Sequence, residues 1–253
     1  MRVQPPLRIF VGWDPAQLRA CAVAMHSARA RASAALDLRR LGLPELVARG
    51  LYARPTRHPE PGRPGYYDEI SAAPMSTGHA IARFLVPTLC GHEGWALFTD
   101  GDVLFRRDPA DLFAVADPGC AVQVVKHLPI DGQGLKMTGA VQTSYARKNW
   151  SSVMLFNCGH PANAALDAGL VNTVPGRDLH RFCWLDDSLV GGLPSGWNHL
   201  VGTSFPDPDP ALVHFTDGVP DMPGYEHCQW SDEWHAAART CGYRLGRLSE
   251  ASR

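Results

Sequence analysis

The opening of the chain alternates strand, helix and strand, and this order constrains the fold more than any other feature. Residues 7–12 (LRIFVG) form a short apolar run closed by glycine, which is typical of a buried strand. Asp14 and Pro15 predict the start of a helix that continues over the alanine-rich residues 16–32. Residues 36–41 are predicted as the next strand or the approach to it. A strand, helix and strand in succession favour an α/β fold with a mostly parallel central sheet flanked by helices.

The alternation continues further along the chain. Residues 55–65 (PTRHPEPGRPG) are too rich in proline and glycine for regular structure and predict a surface loop. A helix is predicted over 75–89, where apolar residues recur at three- and four-residue spacing. Further elements are a strand over 95–99, strands over 121–125 and 153–156, and a short helix over 162–170.

Composition excludes some classes of protein. The 253 residues carry 24 Lys and Arg against 25 Asp and Glu, without a long basic run, so we do not expect nucleic-acid binding. No apolar stretch reaches the roughly 20 residues that span a bilayer, and no signal peptide opens the chain. We therefore expect a cytoplasmic protein without a transmembrane segment, able to attach to a membrane surface only peripherally. Because no linker-like run divides the chain, we expect one domain over 1–253.

The strongest functional signal is the segment FTDGDVL at 98–104. The apolar strand delivers Asp100 and Asp102 onto a turn eased by Gly101. In open α/β sheets, ligands bind beyond the carboxyl ends of the strands. Carboxylate oxygens suit Mg²⁺ or Mn²⁺, which share their coordination sphere with substrate phosphates. The segment thus predicts a divalent-cation site, and a solvated Asp-Gly turn is the simpler alternative.

The same segment also fits a different enzyme class. Haloacid dehalogenase-like phosphatases carry an Asp-x-Asp, a β-branched residue and Leu after an apolar strand. Asp100 would then be the nucleophile and Asp102 the acid/base. That family places its motif on the opening strand of its core, whereas here a strand-helix-strand unit and a further helix come first.

Two later segments carry further candidates. In VHFTDG, the imidazole of His214 can complete a site built mainly from carboxylates, although a structural histidine is the alternative. In WLDDSL, the neighbouring carboxylates Asp186 and Asp187 project differently, so one can face a cleft while the other caps the following turn.

In this order the segments resemble glycosyltransferase family 8 and its bacterial relatives, which have the GT-A fold of nucleotide-diphospho-sugar transferases. The resemblance spans roughly residues 7–235 and is specific as an ordered set rather than piece by piece. The matching pieces are VGWDP, AIARFLVP, DGD, WSSVMLFN, LDDSL, LPSGWN and HFTDGVPD.

The resemblance implies a metal-dependent glycosyltransferase. The donor would be a nucleoside-diphosphate sugar, expected to be a UDP-sugar, and the acceptor a saccharide or another hydroxyl compound, with retention of anomeric configuration. The implied ligands of the Mn²⁺ or Mg²⁺ ion are Asp100, Asp102 and His214. Asp186, at the Gln of a DQD motif, would stabilise the positive charge on the donor sugar or attack it. Asp187 would bind a donor hydroxyl or anchor the loop. The implied nucleotide-sugar site consists of Gly12, Trp13, Asp14, Arg83, Asp100 and Gly101.

Three positions depart from the family pattern. The Asn of an NSG motif is either replaced by Trp150 or shifted to Asn149, and Asp186 replaces the Gln of DQD. The Lys of a closing KPW motif, which contacts the diphosphate, has no counterpart. Candidates to replace this lysine are Lys126, Lys136, Arg147 and Lys148. Its loss leaves open a third interpretation, a non-catalytic nucleotide-sugar or carbohydrate-binding protein of the same fold.

Overall fold

The computed structural model describes residues 5–57, 65–128, 147 and 149–242. The strands of this part of the chain are β1 (Leu7–Gly12), β2 (Leu36–Leu41), β3 (Thr56–Arg57), β4 (Tyr66–Asp68), β5 (Ala73–Met75), β6 (Trp95–Thr99), β7 (Val103–Phe105), β8 (Val122–Val124), β9 (Val153–Asn157), β10 (Val190–Gly192), β11 (His199–Leu200) and β12 (Leu212–His214). The α-helices are α1 (Leu18–Arg31), α2 (Leu43–Ala48), α3 (His79–Ala82), α4 (Val86–Leu89), α5 (Pro109–Ala114), α6 (Ala168–Thr173), α7 (Gly176–His180) and α8 (Ser231–Thr240).

The central sheet has six strands in the order β10-β8-β9-β6-β1-β2. Its pairs are parallel except those of β9, which runs antiparallel to both β6 and β8. The expected α/β fold with a mostly parallel sheet is confirmed. Because β9 is reversed, its first residue Val153 pairs with Thr99, the last residue of β6. The end of β6, the end of β1 and the start of β9 therefore meet at one edge, which we call the carboxyl edge.

Helices cover both faces of this sheet. Side chains of a strand alternate between faces. Ile9 and Val11 pack on one face with α1, and Phe10 lies in the separate apolar cluster of the other face. That second cluster also contains Phe98 of β6 and Phe84 from the helical segment before it. The strand residues in both clusters are buried, so β1 and β6 lie in the centre of the core and position the carboxyl edge firmly.

A second sheet, in the order β11-β12-β7, continues from the carboxyl edge. Strand β7 follows the Asp100–Asp102 turn directly, and β12 pairs antiparallel with it, His214 opposite Val103. One hydrogen bond extends this pairing, since the amide of Phe215 donates to the carbonyl of Asp102 over 2.9 Å. The pairing brings the end of β12 beside the turn after β6.

Two sequence predictions about the first half are wrong in detail. Thr56 and Arg57, predicted as loop, form β3, which pairs with β4 in a small sheet of order β3-β4-β5. Residues 58–64 lie outside the described part. The helix predicted over 75–89 begins only at His79, because Met75 belongs to β5, and it is interrupted by a 3-10 turn over Arg83–Leu85. Helical spacing of apolar residues survives a 3-10 turn, so periodicity alone does not reveal the break.

The helix predicted over 162–170 is also two segments. A 3-10 turn over Pro161–Ala165 ends at Leu166, which has ψ 67° and leaves the helical region. Asp167 then caps α6, because its carboxylate accepts a hydrogen bond of 2.7 Å from the amide of Leu170. Among all described helices, none is long and apolar enough to cross a bilayer.

Candidate metal and donor site

The three predicted metal ligands lie together at the carboxyl edge. The Nε2 atom of His214 is 3.1 Å from Asp102 Oδ1 and 4.0 Å from Asp100 Oδ2. One ligand atom from each of the three residues lies within 4.8 Å of the others. Asp102 and His214 are buried, and Asp100 is partly exposed. The pairing of β12 with β7 thus completes a cluster of which β6 supplies only the two carboxylates.

This cluster fits a divalent cation. Asp102 Oδ1 is buried and, apart from its ion pair with His214, has no hydrogen-bond partner among the described residues. A buried carboxylate oxygen without such a partner is costly unless a cation faces it. Two hard carboxylates and one imidazole form a donor set that Mn²⁺ and Mg²⁺ accept. The described residues contain no second group of this kind.

Two basic side chains hold Asp100 from the other side. Arg83 Nη2 lies 2.8 Å from Asp100 Oδ1, and His79 Nε2 lies 3.2 Å from the same oxygen. Arg83 also donates through Nη1 to the backbone carbonyl of Ser151 over 2.8 Å. Its guanidinium lies 4.8 Å from the ring centroid of Phe98. Arg83 is buried, so its guanidinium does not lie at the protein surface.

His79 is a site residue that the sequence prediction missed. A signal for it was present, because residues four apart share one face of a helix, and His79 precedes Arg83 by four. An ideal Cβ at Gly12 would lie 2.6 Å from His79 Nε2, so Gly12 leaves the space that this imidazole fills. The predicted site residue Gly12 therefore has a packing role, whatever its role toward a nucleotide.

The charges of the cluster shift the pKa values of its members in opposite directions. Burial by itself would raise the pKa of Asp100, but the Arg83 guanidinium, with His79 and His214, holds it well below its ordinary value. Burial by itself would lower the pKa of His214, but the Asp102 carboxylate, helped by Asp100, raises it. Without a cation, therefore, Asp100 is ionised and His214 readily takes up a second proton.

The far side of His214 contacts a buried amide. Asn198 Oδ1 lies 3.0 Å from His214 Nδ1, and Asn198 Nδ2 lies 2.9 Å from Ser152 Oγ and 3.0 Å from His127 Nε2. Burial, with smaller effects of His214 and His199, lowers the pKa of His127 to about 4, so this imidazole is neutral at pH 7. Asn198 closes the LPSGWN segment, and the family resemblance implies no role for it in the site.

The predicted nucleotide residues at the end of β1 have structural contacts. The carboxylate of Asp14 accepts hydrogen bonds of 2.9 Å from the amide of Ala16 and 2.8 Å from the amide of Gly78. It therefore caps the turn before α1 and ties it to the segment before α3. The guanidinium of Arg40 lies 5.9 Å from the ring centroid of Trp13. Contact of Asp14 or Trp13 with a nucleotide stays a prediction.

Asp186 and Asp187 are both exposed and lie just before β10. Asp187 forms an ion pair with Arg147, whose guanidinium lies 5.5 Å from the ring centroid of Trp150. Lys126 Nζ lies 5.8 Å from the same centroid. Within the described residues, no ion pair or hydrogen bond joins Asp186 or Asp187 to the metal cluster, so their roles stay predictions. The other proposed cations, Lys136 and Lys148, lie outside the described residues.

Solved structures share this fold at low sequence identity. The bifunctional glycosyltransferase WbbM superposes with a TM-score of 0.63 at 15% identity over 95% of this chain, which spans about half (50%) of the WbbM chain. GlyE of Streptococcus pneumoniae gives 0.58 at 14% identity, covering 92% of this chain and 60% of GlyE. The galactosyltransferase LgtC, crystallised with donor and acceptor sugar analogues, gives 0.53 at 14% identity, covering 94% and 97% of the two chains.

The fold is therefore that of the GT-A glycosyltransferases, and the Asp-x-Asp cluster lies at the edge of its sheet. No family model matches the chain. The chain belongs to the family of Protein CDI of Arabidopsis thaliana, with which it shares 38% identity over 234 residues, covering 90% of this chain and 85% of Protein CDI. The GT-A fold expected from the sequence resemblance is confirmed.

Proposed function

We propose that this protein is a metal-dependent glycosyltransferase that moves a sugar from a nucleoside-diphosphate sugar, in the first place a UDP-sugar, to a hydroxyl acceptor. The observation that carries the proposal is the cluster of Asp100, Asp102 and His214 at the carboxyl edge of a GT-A sheet. The GT-A fold favours this function over the phosphatase alternative. In addition, Asp100 follows β6 rather than the first strand, and Arg83 and His79 bind its carboxylate.

The three ligands would hold the cation where the donor diphosphate departs. A bound Mn²⁺ or Mg²⁺ acts as a Lewis acid and neutralises the charge of the leaving diphosphate. The imidazole nitrogen of His214 favours Mn²⁺ over Mg²⁺, because nitrogen is the softer ligand. Three protein ligands leave an octahedral site incomplete, so we expect the diphosphate to contribute to coordination and to strengthen metal binding.

Arg83 and His79 orient Asp100 toward the cation. Both basic groups contact Oδ1 of Asp100, whereas Oδ2 is the oxygen nearer to His214. One carboxylate oxygen is thus occupied by the protein, and the other faces the metal ligands. This division fixes the rotation of the carboxylate before a ligand binds, which reduces the reorganisation needed during the reaction.

Lys126 and Arg147 are our candidates for the cation that other family members provide with a lysine after the His motif. Both lie over the ring of Trp150, and the backbone of its neighbour Ser151 holds Arg83. Arg147 already pairs with Asp187, whereas among the described residues Lys126 has no carboxylate within ion-pair distance. Lys126 is therefore the stronger candidate to bind a diphosphate.

Retention of configuration would need a group near the anomeric carbon. We assign Asp186 to this role, where its carboxylate stabilises the positive charge that develops on the donor sugar, or attacks it. Asp187 would bind a donor hydroxyl or anchor the loop, and its ion pair with Arg147 supports the anchoring role. No acid is needed to protonate the leaving group, because a diphosphate departs as a stable anion.

A donor screen tests the proposal. The protein is mixed with Mn²⁺ and each of a panel of nucleotide sugars, and its thermal unfolding is followed. A ligand at one hundred times its dissociation constant adds about 2.7 kcal/mol to the free energy of unfolding. Donors that stabilise the protein are then assayed for release of free nucleotide diphosphate with and without saccharide acceptors.

The variant Asp102→Asn is the matched control for this screen. It keeps the shape of the side chain but removes the charge, so both the stabilisation and the turnover should be lost. Full metal-dependent activity of this variant would overturn the proposed site. Stabilisation by a nucleotide sugar without any turnover would instead favour the non-catalytic binding protein of the same fold.

A further inference from the structure

We infer that Asn198 is a positioning residue that, through Ser152, holds the proton of neutral His214 on Nδ1 and so leaves its Nε2 atom available to the cation. The inference rests on the proposed metal site. Its basis is a series of hydrogen bonds between the backbone carbonyl of Asn149 and the imidazole of His214. In this series, donors and acceptors can be assigned in only one way. Neither Asn198 nor Ser152 belongs to the cluster of three ligands.

The direction starts at the carbonyl oxygen of Asn149, which can only accept. Ser152 Oγ lies 2.7 Å from this oxygen, so the hydroxyl must donate its single proton to it. The lone pairs of Ser152 Oγ then accept from Asn198 Nδ2 over 2.9 Å. This contact fixes the orientation of the Asn198 amide, because its nitrogen must point toward Ser152 and its oxygen the other way.

A second contact is compatible with the same orientation of the amide. His127 Nε2 lies 3.0 Å from Asn198 Nδ2, and a neutral imidazole can accept there when its proton is on Nδ1. Both protons of the amide nitrogen thus have acceptors. The remaining atom, Asn198 Oδ1, lies 3.0 Å from His214 Nδ1 and can only accept, so His214 carries a proton on Nδ1.

This arrangement opposes the tautomer of His214 that the neighbouring carboxylates alone would favour. A neutral His214 beside Asp102, 3.1 Å away, would gain most by placing its proton on Nε2, which would block a cation. For that, Asn198 would have to turn its nitrogen toward His214 and its oxygen toward Ser152. Ser152 Oγ has no second proton to offer, so the turned amide would leave two acceptors facing each other in a buried site. The series therefore selects the tautomer that can bind metal.

The backbone conformation of Asn149, where the series of hydrogen bonds begins, suits this arrangement. Asn149 has φ 66°, in the left-handed region, where asparagine is tolerated better than most residues. In this conformation its carbonyl accepts both the hydroxyl and the amide of Ser152. Asn198 is fully buried, so water does not compete for its amide.

The test compares Ser152→Ala with Ser151→Ala. Ser152→Ala removes the anchor of the amide without touching His214, whereas Ser151→Ala removes an adjacent buried hydroxyl, which contacts His180 Nδ1 over 2.7 Å instead. Two quantities are measured for the parent and both variants. The first is the tautomer of His214 in the metal-free protein, from ¹⁵N shifts of its ring followed upward in pH until the ring has lost its second proton. The second is the affinity for Mn²⁺ alone, from the electron paramagnetic resonance signal of the free ion. The His214→Gln variant assigns the ring signals.

We expect His214 of the parent to carry its proton on Nδ1. Ser152→Ala should shift it toward the Nε2-protonated form and weaken Mn²⁺ binding about 10- to 100-fold, as loss of outer contacts to metal ligands does. Ser151→Ala should leave both quantities within about twofold of the parent, since it breaks no bond of the series. Asn198→Ala should act like Ser152→Ala. Because it leaves a cavity in the core that can prevent folding, Ser152→Ala is the deciding variant.

An unchanged tautomer and Mn²⁺ affinity in Ser152→Ala would overturn the inference, and so would equal losses in Ser151→Ala. The proposed function fails separately. If the parent binds no Mn²⁺, either alone or with a nucleotide sugar, the metal site is wrong. Even then, the tautomer of His214 in the metal-free parent and in Ser152→Ala shows whether the hydrogen bonds through Ser152 and Asn198 have the inferred donors and acceptors.

Discussion

An ideal β-carbon on Gly101 would lie 2.3 Å from the backbone carbonyl oxygen of Gly12. The turn between the two carboxylate ligands therefore packs directly on the end of β1. The obstacle is backbone rather than the end of a flexible side chain, so it cannot give way without moving β1. Glycine at this position is a requirement of the close approach.

We expect Gly101→Ala to lower the free energy of unfolding by about 1–3 kcal/mol, the usual cost of overpacking a filled core. Relief of the clash with the Gly12 carbonyl would also displace Asp100 and Asp102 and so weaken Mn²⁺ binding. Gly192→Ala is the matched control, because an added Cβ there meets no atom within 4 Å. Chemical denaturation and Mn²⁺ titration of both variants check this, and equal stability of the two would contradict the packing argument.

Mn²⁺ affinity should fall as the pH is lowered. The Asp102 carboxylate overcomes the effect of burial and raises the pKa of His214, so a proton competes with the cation at Nε2. Below this raised pKa, affinity should drop by up to about tenfold for each pH unit, and Mn²⁺ binding should release a proton. Calorimetry in buffers of different ionisation enthalpy measures that proton. If no proton is released above pH 6.5, the ordinary pKa of histidine, then either the pKa of His214 is not raised or His214 is not a ligand.

The same raised pKa gives the metal-free protein a pH-dependent stability. The charged imidazolium beside Asp102 stabilises the fold fully below the unfolded pKa of histidine, about 6.5, and this contribution is lost as the pH rises through the folded value. The thermal midpoint of the parent should therefore fall as the pH rises through this range, and that of His214→Gln should lack this fall. Measurements need a chelator, since bound Mn²⁺ would replace the proton and reverse the trend.

Arg83→Lys should damage the site although it keeps the charge. The planar guanidinium contacts Asp100 and the carbonyl of Ser151 through two different nitrogens, and a lysine has only one. We expect kcat/KM to fall at least about tenfold, because Asp100 loses its fixed orientation. Arg106→Lys is the control, as Arg106 pairs with Asp209 and Glu233 instead. Similar kinetics for both variants would remove Arg83 from the catalytic arrangement.

Asp186 and Asp187 can be separated by kinetics. Asp186→Asn should lower kcat by at least about 100-fold if its carboxylate meets charge in the transition state. Asp187→Asn should have a smaller effect on kcat, since its structural partner is Arg147. Single-turnover rates with the donor found in the screen measure both. The roles are reversed if Asp187→Asn proves the more damaging change.

The sequence was sufficient for the elements that depend on local pattern. The strand before Asp100 is predictable because a run of apolar residues must be buried and the polar residues that follow it must emerge at an edge. The resemblance to family 8 then placed His214 with the two aspartates. The helix over 75–89 was less successful, because the break at Arg83–Leu85 leaves apolar spacing intact.

The sequence by itself thus determined the opening order of strand, helix and strand, the turn that carries two carboxylates, and the fold class. The tertiary structure alone decided which distant residues complete the site. His79 reaches Asp100 through the space left by Gly12, and Asn198 reaches His214 through the pairing of β11 with β12. Such contacts depend on how separate elements pack and in which register, and that information is not contained in any local pattern of residues.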